Sequence, residues 1–171
     1  TYQLYLEAEA QVRDIIETAK GAGDAQKIRD LYDCFLDTAA IEKSGITPLQ
    51  DDLAAIDAIT NRAEFIKTMA DLEMRGLGGV FGLGIYGDAM NSEMNIIYLG
   101  QGGLSLPDEA YYREEQYEEI RKAFKVHVAK MFALAGIENG AAMAEQIYKL
   151  EASIAAHHFD QVKDRDVELT Y

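Results

Sequence analysis

Gly82-Leu83-Gly84-Ile85-Tyr86-Gly87 carries the letters of a dinucleotide-binding turn. In such a turn the glycines let backbone N–H groups approach a pyrophosphate, and a helix N-terminus must follow at once to aim them. Here Asp88 and Ala89 come next, then Asn91 and a second apolar run, so no strand–helix–strand unit forms around the glycines. The plainer reading is a strand whose glycines admit a neighbouring backbone.

His157 and His158 offer a second possibility, with Asp160 close by. Neighbouring helical residues point about 100° apart, so two adjacent imidazoles do not share a metal ion easily. A His-Glu-x-x-His pair, which sets two histidines one turn apart around a glutamate, occurs nowhere in the sequence. His127 stands alone in an ordinary helical stretch. Helix-end charge compensation or packing accounts for these histidines more simply. Cys34 could act as a nucleophile only beside a base; as a small, buried or half-buried apolar residue it needs none. Glu114, Glu115, Glu118 and Glu119 could supply paired carboxylates, but they read as the solvated face of a helix. No residue is therefore assigned as catalytic, cofactor-binding or metal-ligating.

These residues belong to an acidic chain of net charge −14, of which 49% is apolar. The apolar share suffices for a core at this length. The charge repels phosphate backbones and anionic lipid surfaces, which argues against nucleic acid as a partner. No apolar run reaches the roughly 18 residues needed to span a bilayer. The chain opens on Thr1 and not on methionine, so a preceding leader or anchor stays open. A single cysteine permits no intrachain disulfide and fits a reducing compartment. A cytoplasmic setting is favoured, with an extracellular or membrane-anchored parent left open.

Helical periodicity positions most of these residues. Val12, Ile15, Ile16 and Ala19 predict a helix over about 2–20. Asp24 would cap a second, bearing Ile28, Leu31, Tyr32 and Phe35, with a turn through Lys43-Ser44-Gly45. Thr47-Pro48 opens a third, Thr47 as cap and Pro48 at the first helical position. Asn61 caps a fourth, with Phe65, Met69 and Leu72. The glycine-rich stretch and the run around Ile96 and Ile97 predict two short strands joined through residues 88–91. Pro107-Asp108 begins the longest helix, reaching about Ala135 with Tyr117, Ile120, Phe124, Val128 and Met131 on one stripe. Gly136 ends it. A last helix after Asn139-Gly140 runs to about Phe159, with Ala144, Ile147, Leu150 and Ile154 inward. The charged tail from Lys163 reads as extended. The expectation is one mainly α domain over 1–171, with a small two-stranded β element around residues 80–99.

Three stretches resemble the N-terminal region of the neprilysin and endothelin-converting-enzyme family. Leu31-Tyr32-Asp33-Cys34, followed by Ile41-Glu42, Gly45 and Pro48-Leu49, is similar to that family's Tyr-x-x-Cys, Ile-(Asp/Glu), Gly and Pro-Leu order. Gly103-Leu104-Ser105-Leu106-Pro107, ending in Tyr111-Tyr112, resembles its Gly-Leu-x-Leu-Pro-x-x-x-Tyr-Tyr segment. Glu151, then Arg165-Asp166 and Tyr171, resembles its Arg-Asp-x-x-x-x-Tyr stretch. Asp33 departs from the serine that often precedes the family's cysteine. In extracellular members that cysteine pairs with one far downstream, and no such partner lies in these residues.

The resemblance implies a larger zinc endopeptidase whose metal ligands and catalytic glutamate lie C-terminal to this region. These residues would then be part of a bundle-like helical lid that shapes and gates a substrate cavity. Its partners would be the catalytic domain of the same polypeptide and peptide substrates, with zinc in the parent and no cofactor on this chain. Taken apart from that domain, the lid should expose apolar surface. A stand-alone helical module that binds peptides or proteins without catalysis is the alternative, and a nucleotide-binding domain built on the glycines is a weaker third.

Overall fold

Amphipathic stripes at helical spacing set most of the observed elements. The computed structural model describes residues 2–171. The chain divides between Pro48 and Leu49 into two compact units.

In the first unit, α1 (Tyr2–Thr18) and α2 (Asp24–Leu36) form a helical hairpin. Val12, Ile15 and Ile16 of α1 and Ile28, Leu31, Tyr32 and Phe35 of α2 line one shared apolar cleft. Arg29 donates to the Glu17 carbonyl at 3.0 Å and Tyr32 to the Glu17 carboxylate at 3.3 Å, tying the two helices. Asp24 does not cap α2. Gly23, at φ +71°, makes the entry turn, and the Asp24 carboxylate pairs with Lys27 at 2.9 Å. A further helix, α3 (Thr38–Ser44), fills the region expected to approach a plain turn. Asp37 separates it from α2, and its side chain accepts from Ala40 N at 2.9 Å as an N-cap.

Thr47–Leu49 forms one 3₁₀ turn, and α4 (Gln50–Asp57) starts after it, so Thr47 is not an α-helical cap. In the second unit α5 (Arg62–Glu73) begins at Asn61 as expected. Asn61 Oδ1 accepts from Glu64 N at 3.0 Å. Glu64 reaches back to accept from Thr60 N and Thr60 Oγ1, both at 2.8 Å. These Thr60 hydrogen bonds hold the Glu64 carboxyl below its ordinary pKa. Arg75 pairs with Asp52 to join the end of α5 to α4.

β1 (Phe81–Gly87) and β2 (Asn95–Gln101) pair antiparallel, with Leu83 opposite Leu99 and Ile85 opposite Ile97. The expected long helix from Pro107 is broken. α6 (Ala110–Arg113) and a 3₁₀ turn over Glu115–Tyr117 precede α7 (Glu118–Leu134). Glu114 is extended at the break (ψ 139°). The Tyr111 and Tyr117 rings stack at 4.0 Å, and Arg121 donates to the carbonyls of Tyr111 (2.9 Å) and Glu114 (2.7 Å). The guanidinium thus satisfies acceptors that the interrupted helix leaves open.

Gly136 ends α7 in the left-handed region, φ +72°. Gly136 N donates to Ala133 O and Ile137 N to Phe132 O, the paired bonds of a Schellman stop. α8 (Gly140–Ala155) then packs back along α7. A Cβ on Gly140 would lie 2.7 Å from Ala129 O, so this close approach needs glycine. Lys125 and Glu145 bridge the pair at 3.0 Å. The buried positions of α8 are Ala144, Glu151 and Ala155. The inward stripe is therefore turned from the expected one, and Leu150 is 62% exposed. The helix also ends at Ala155, short of Phe159.

The tail is not extended. Lys163–Arg165 makes a 3₁₀ turn and α9 (Val167–Thr170) a single helical turn. Asp160 accepts from Val162 N (3.0 Å) and Lys163 N (2.9 Å), and Asp166 from Glu168 N (3.0 Å). Two aspartates thus nucleate local turns that hydropathy does not register. The fold is mainly helical with one two-stranded antiparallel sheet, and none of the described helices is long and apolar enough to cross a membrane.

Candidate functional site

The glycine-rich stretch is β1, and a turn leads from it into β2 with no helix between. Asp88 shapes that turn by accepting from Met90 N at 2.8 Å and Asn91 N at 3.2 Å. A phosphate site has no helix N-terminus to use there.

The histidines build no common site among the described residues. His157 is exposed, its Nδ1 hydrogen-bonded to Ser153 O at 2.8 Å. His158 is half-buried just past α8, and His127 is exposed on α7. Among the described residues no three His, Cys, Asp or Glu side chains gather as a metal-holding group. Cys34 is exposed, against the expectation of burial. It lies about 110° round α2 from the centre of the stripe that lines the cleft. Glu118 and Glu119 both pair with Lys122 at 2.8 Å on the open face of α7. This contact lowers the Glu118 pKa and raises that of Lys122. Glu114 and Glu115 precede α7 at the break, where Glu114 meets Arg113 at 3.2 Å.

The polar centre of the second unit lies elsewhere, at Glu151. This carboxylate is 8% exposed on the inner face of α8. It accepts from Ser105 Oγ at 2.7 Å, Ser105 N at 3.2 Å and Tyr112 Oη at 2.5 Å. Tyr112 Oη in turn accepts from Leu106 N at 3.1 Å, and Tyr148 donates to the Tyr112 carbonyl at 3.3 Å. The Tyr112 and Tyr148 rings stack at 6.0 Å, and Lys125 Nζ sits 4.7 Å from the Tyr148 centroid. Burial, reinforced by the bond to Glu151, raises the Tyr112 phenol well above its ordinary pKa.

Three donors occupy this carboxylate, which makes it a clamp and not a free base. It fastens Ser105 and Tyr112, both in the Gly103–Tyr112 stretch, to α8. A second fastening lies alongside. The Gln101 side chain donates to Phe159 O at 3.3 Å and accepts from Phe159 N, and Gln161 donates to Asp108 Oδ2 at 2.7 Å. Glu151 carries no assigned role in the sequence reading. Its signal was the spacing 144, 148, 151, 155, a helical stripe on which one position is acidic.

Two of the three stretches that resemble a known family meet at this clamp, and comparison bears the resemblance out. The profile of peptidase family M13 matches residues 1–171. The Mycobacterium tuberculosis zinc metalloprotease Zmp1 in complex with an inhibitor superposes on 99% of this chain, with TM-score 0.89 and 39% identity. Its open state gives TM-score 0.87 at the same identity and coverage. Mouse endothelin-converting enzyme-like 1 is 26% identical over 167 residues, 88% of this chain. The chain spans 27–28% of the length of the Zmp1 chains and 21% of the mouse protein. The chain thus belongs to peptidase family M13, to whose N-terminal region residues 1–171 correspond.

Proposed function

We propose that these residues form the non-catalytic N-terminal part of a zinc metalloendopeptidase and help to shape and gate its substrate cavity. The family match over residues 1–171 carries the reading. The residues themselves do not fit a zinc ion. Zinc takes about four N, S or O ligands in tetrahedral array, whereas among the described residues no three His, Cys, Asp or Glu side chains gather, and Glu151 is already held by Ser105 and Tyr112. Zinc chemistry is therefore assigned to polypeptide outside these residues. The part played here is architectural. The Glu151 clamp and the Gln101–Phe159 pair hold the Gly103–Tyr112 segment rigid against α8, as a wall of a cavity requires. Gating draws support from the open and inhibitor-bound states described for the M. tuberculosis enzyme.

The test compares the 171-residue chain with the full-length polypeptide that contains it, using quenched fluorescent peptides and metal analysis. The long form should hydrolyse peptides, lose activity to a chelator and contain zinc, while the 171-residue chain should neither hydrolyse peptides nor contain zinc. A long form that lacks both zinc and hydrolysis would sink the reading.

The apolar cleft between α1 and α2, about 540 Å³ and lined by residues such as Ile15, Leu31 and Phe35, favours a second reading, a stand-alone peptide-binding module. Micromolar binding of unstructured apolar peptides to the 171-residue chain, lost in Leu31→Asp, would support it; no binding would remove it.

A further inference from the structure

The β hairpin has two unlike faces. Leu83 faces Leu99 and Ile85 faces Ile97 in the antiparallel register. Residues two apart on a strand share a face, so these four aliphatic side chains make one surface. They are 55%, 68%, 67% and 65% exposed in that order. On the opposite face Ile96 and Tyr98 are half-buried and Tyr86 is exposed; that face is aromatic and polar-tipped, with Tyr98 Oη accepting from Ala89 N at 2.9 Å. A two-stranded hairpin is marginal in water until a face is packed, and clustered exposed aliphatics mark surfaces that something covers.

The last residues of the chain finish against this same hairpin. Tyr171 Oη donates to Asp88 Oδ2, in the β1–β2 turn, at 3.2 Å. Val167, Leu169 and Tyr171 share a cavity of about 480 Å³ with Tyr98 and Leu99. Polypeptide continuing from Tyr171 would leave from beside the hairpin tip. A seven-residue strand is roughly 20 Å long, so about six or seven extended residues would traverse the face. The solved relatives have that continuation in quantity, since this chain spans 27–28% of their length.

We infer that the face made by Leu83, Ile85, Ile97 and Leu99 is a docking surface for the polypeptide that follows Tyr171 in the full-length protease. This rests on the reading above that the chain is part of a longer metallopeptidase. A second copy is the poorer occupant. Two chains of net charge −14 repel, whereas a tethered segment beside the hairpin acts at an effective concentration of order millimolar.

Hydrogen–deuterium exchange of residues 83–99, in the 171-residue chain and in the full-length polypeptide, tests this. Packing of the face suppresses local opening, so exchange should slow at least about tenfold in the long form. Ile97→Lys should lower the long form's Tm by about 5 °C and leave that of the 171-residue chain unchanged. If that variant fails to fold, the exchange comparison on the unsubstituted protein still decides. A long form that hydrolyses peptides yet shows unchanged hairpin exchange would overturn the docking face and spare the protease reading. Tenfold protection in a long form without zinc or hydrolysis would uphold the face and remove the protease reading. Sedimentation showing a dimer of the 171-residue chain that Ile97→Lys abolishes would overturn the inference in favour of self-association.

Discussion

The Tyr112 phenol donates to the Glu151 carboxylate at 2.5 Å across 39 residues of sequence, while accepting from Leu106 N. Tyr112→Phe keeps the ring stack but strands Leu106 N and takes one donor from a buried carboxylate. It should cost about 2 kcal/mol. Glu151→Ala frees Ser105 N, Ser105 Oγ and the phenol together and should cost about 3 kcal/mol or more. Urea unfolding measures both. The double variant should cost clearly less than the sum of the singles, because the two groups share one bond; strict additivity would refute the clamp.

The same phenol sets an alkaline limit. Its folded pKa is raised above the ordinary 10.0, so above about pH 10 the unfolded chain holds fewer protons than the native one. The stabilisation is complete below that pH and is lost as pH rises through the folded value. Unfolding midpoints followed from pH 9 to about pH 11 should therefore fall more steeply for the natural chain than for Tyr112→Phe. Equal slopes would show that Tyr112 does not carry the effect.

Two glycines should answer differently to alanine. Gly136, at φ +72°, has open space where a Cβ would go, so Gly136→Ala meets only the backbone preference, about 1 kcal/mol. Gly103, at φ +77°, would set its Cβ 2.9 Å from Val80 O. Gly103→Ala adds a clash with backbone and should cost at least about 2 kcal/mol. Thermal unfolding ranks the pair, and the reverse order would contradict the packing of Gly103 on Val80.

Asn61 supplies the N-cap of α5 through Glu64 N. Asn61→Ala should destabilise the second unit by about 1 kcal/mol, and Asn61→Asp should restore most of the loss. Circular dichroism melts of the two variants suffice; a neutral alanine would mean that the Thr60–Glu64 bonds hold this helix start alone.

Hydropathy read along the chain located what depends on short-range periodicity. The cleft residues of α1 and α2, the Asn61 cap, the paired strands and the stop at Gly136 all follow from local pattern. Failures came where a side chain replaced a backbone partner. Asp37 splits α2 from α3, Arg121 makes good the break at Glu114, and Asp160 and Asp166 fold the tail. Each is a polar side chain bonded to backbone two to ten residues away, which an apolar stripe does not encode. Leu150 lies off the inward row for a related reason: that row of α8 carries Glu151, whose partners Ser105 and Tyr112 lie 46 and 39 residues upstream. The Gly103–Tyr112 stretch stood out by resemblance alone, and its physical role emerged once the chain returned over it.

That return also imposes a schedule on synthesis. Ser105 leaves the ribosome 46 residues before Glu151, and Asp88 precedes Tyr171 by 83. At about 5–20 residues per second, Ser105 waits roughly 2–9 s for its carboxylate and the hairpin turn roughly 4–17 s for its last tether. During that interval the hairpin lacks the cover of Val167, Leu169 and Tyr171 beside Tyr98 and Leu99, and its unpaired strands face neighbouring nascent chains. The first helical hairpin closes over a few residues and has no such delay. Slower translation should therefore lengthen the time for which the hairpin stands uncovered.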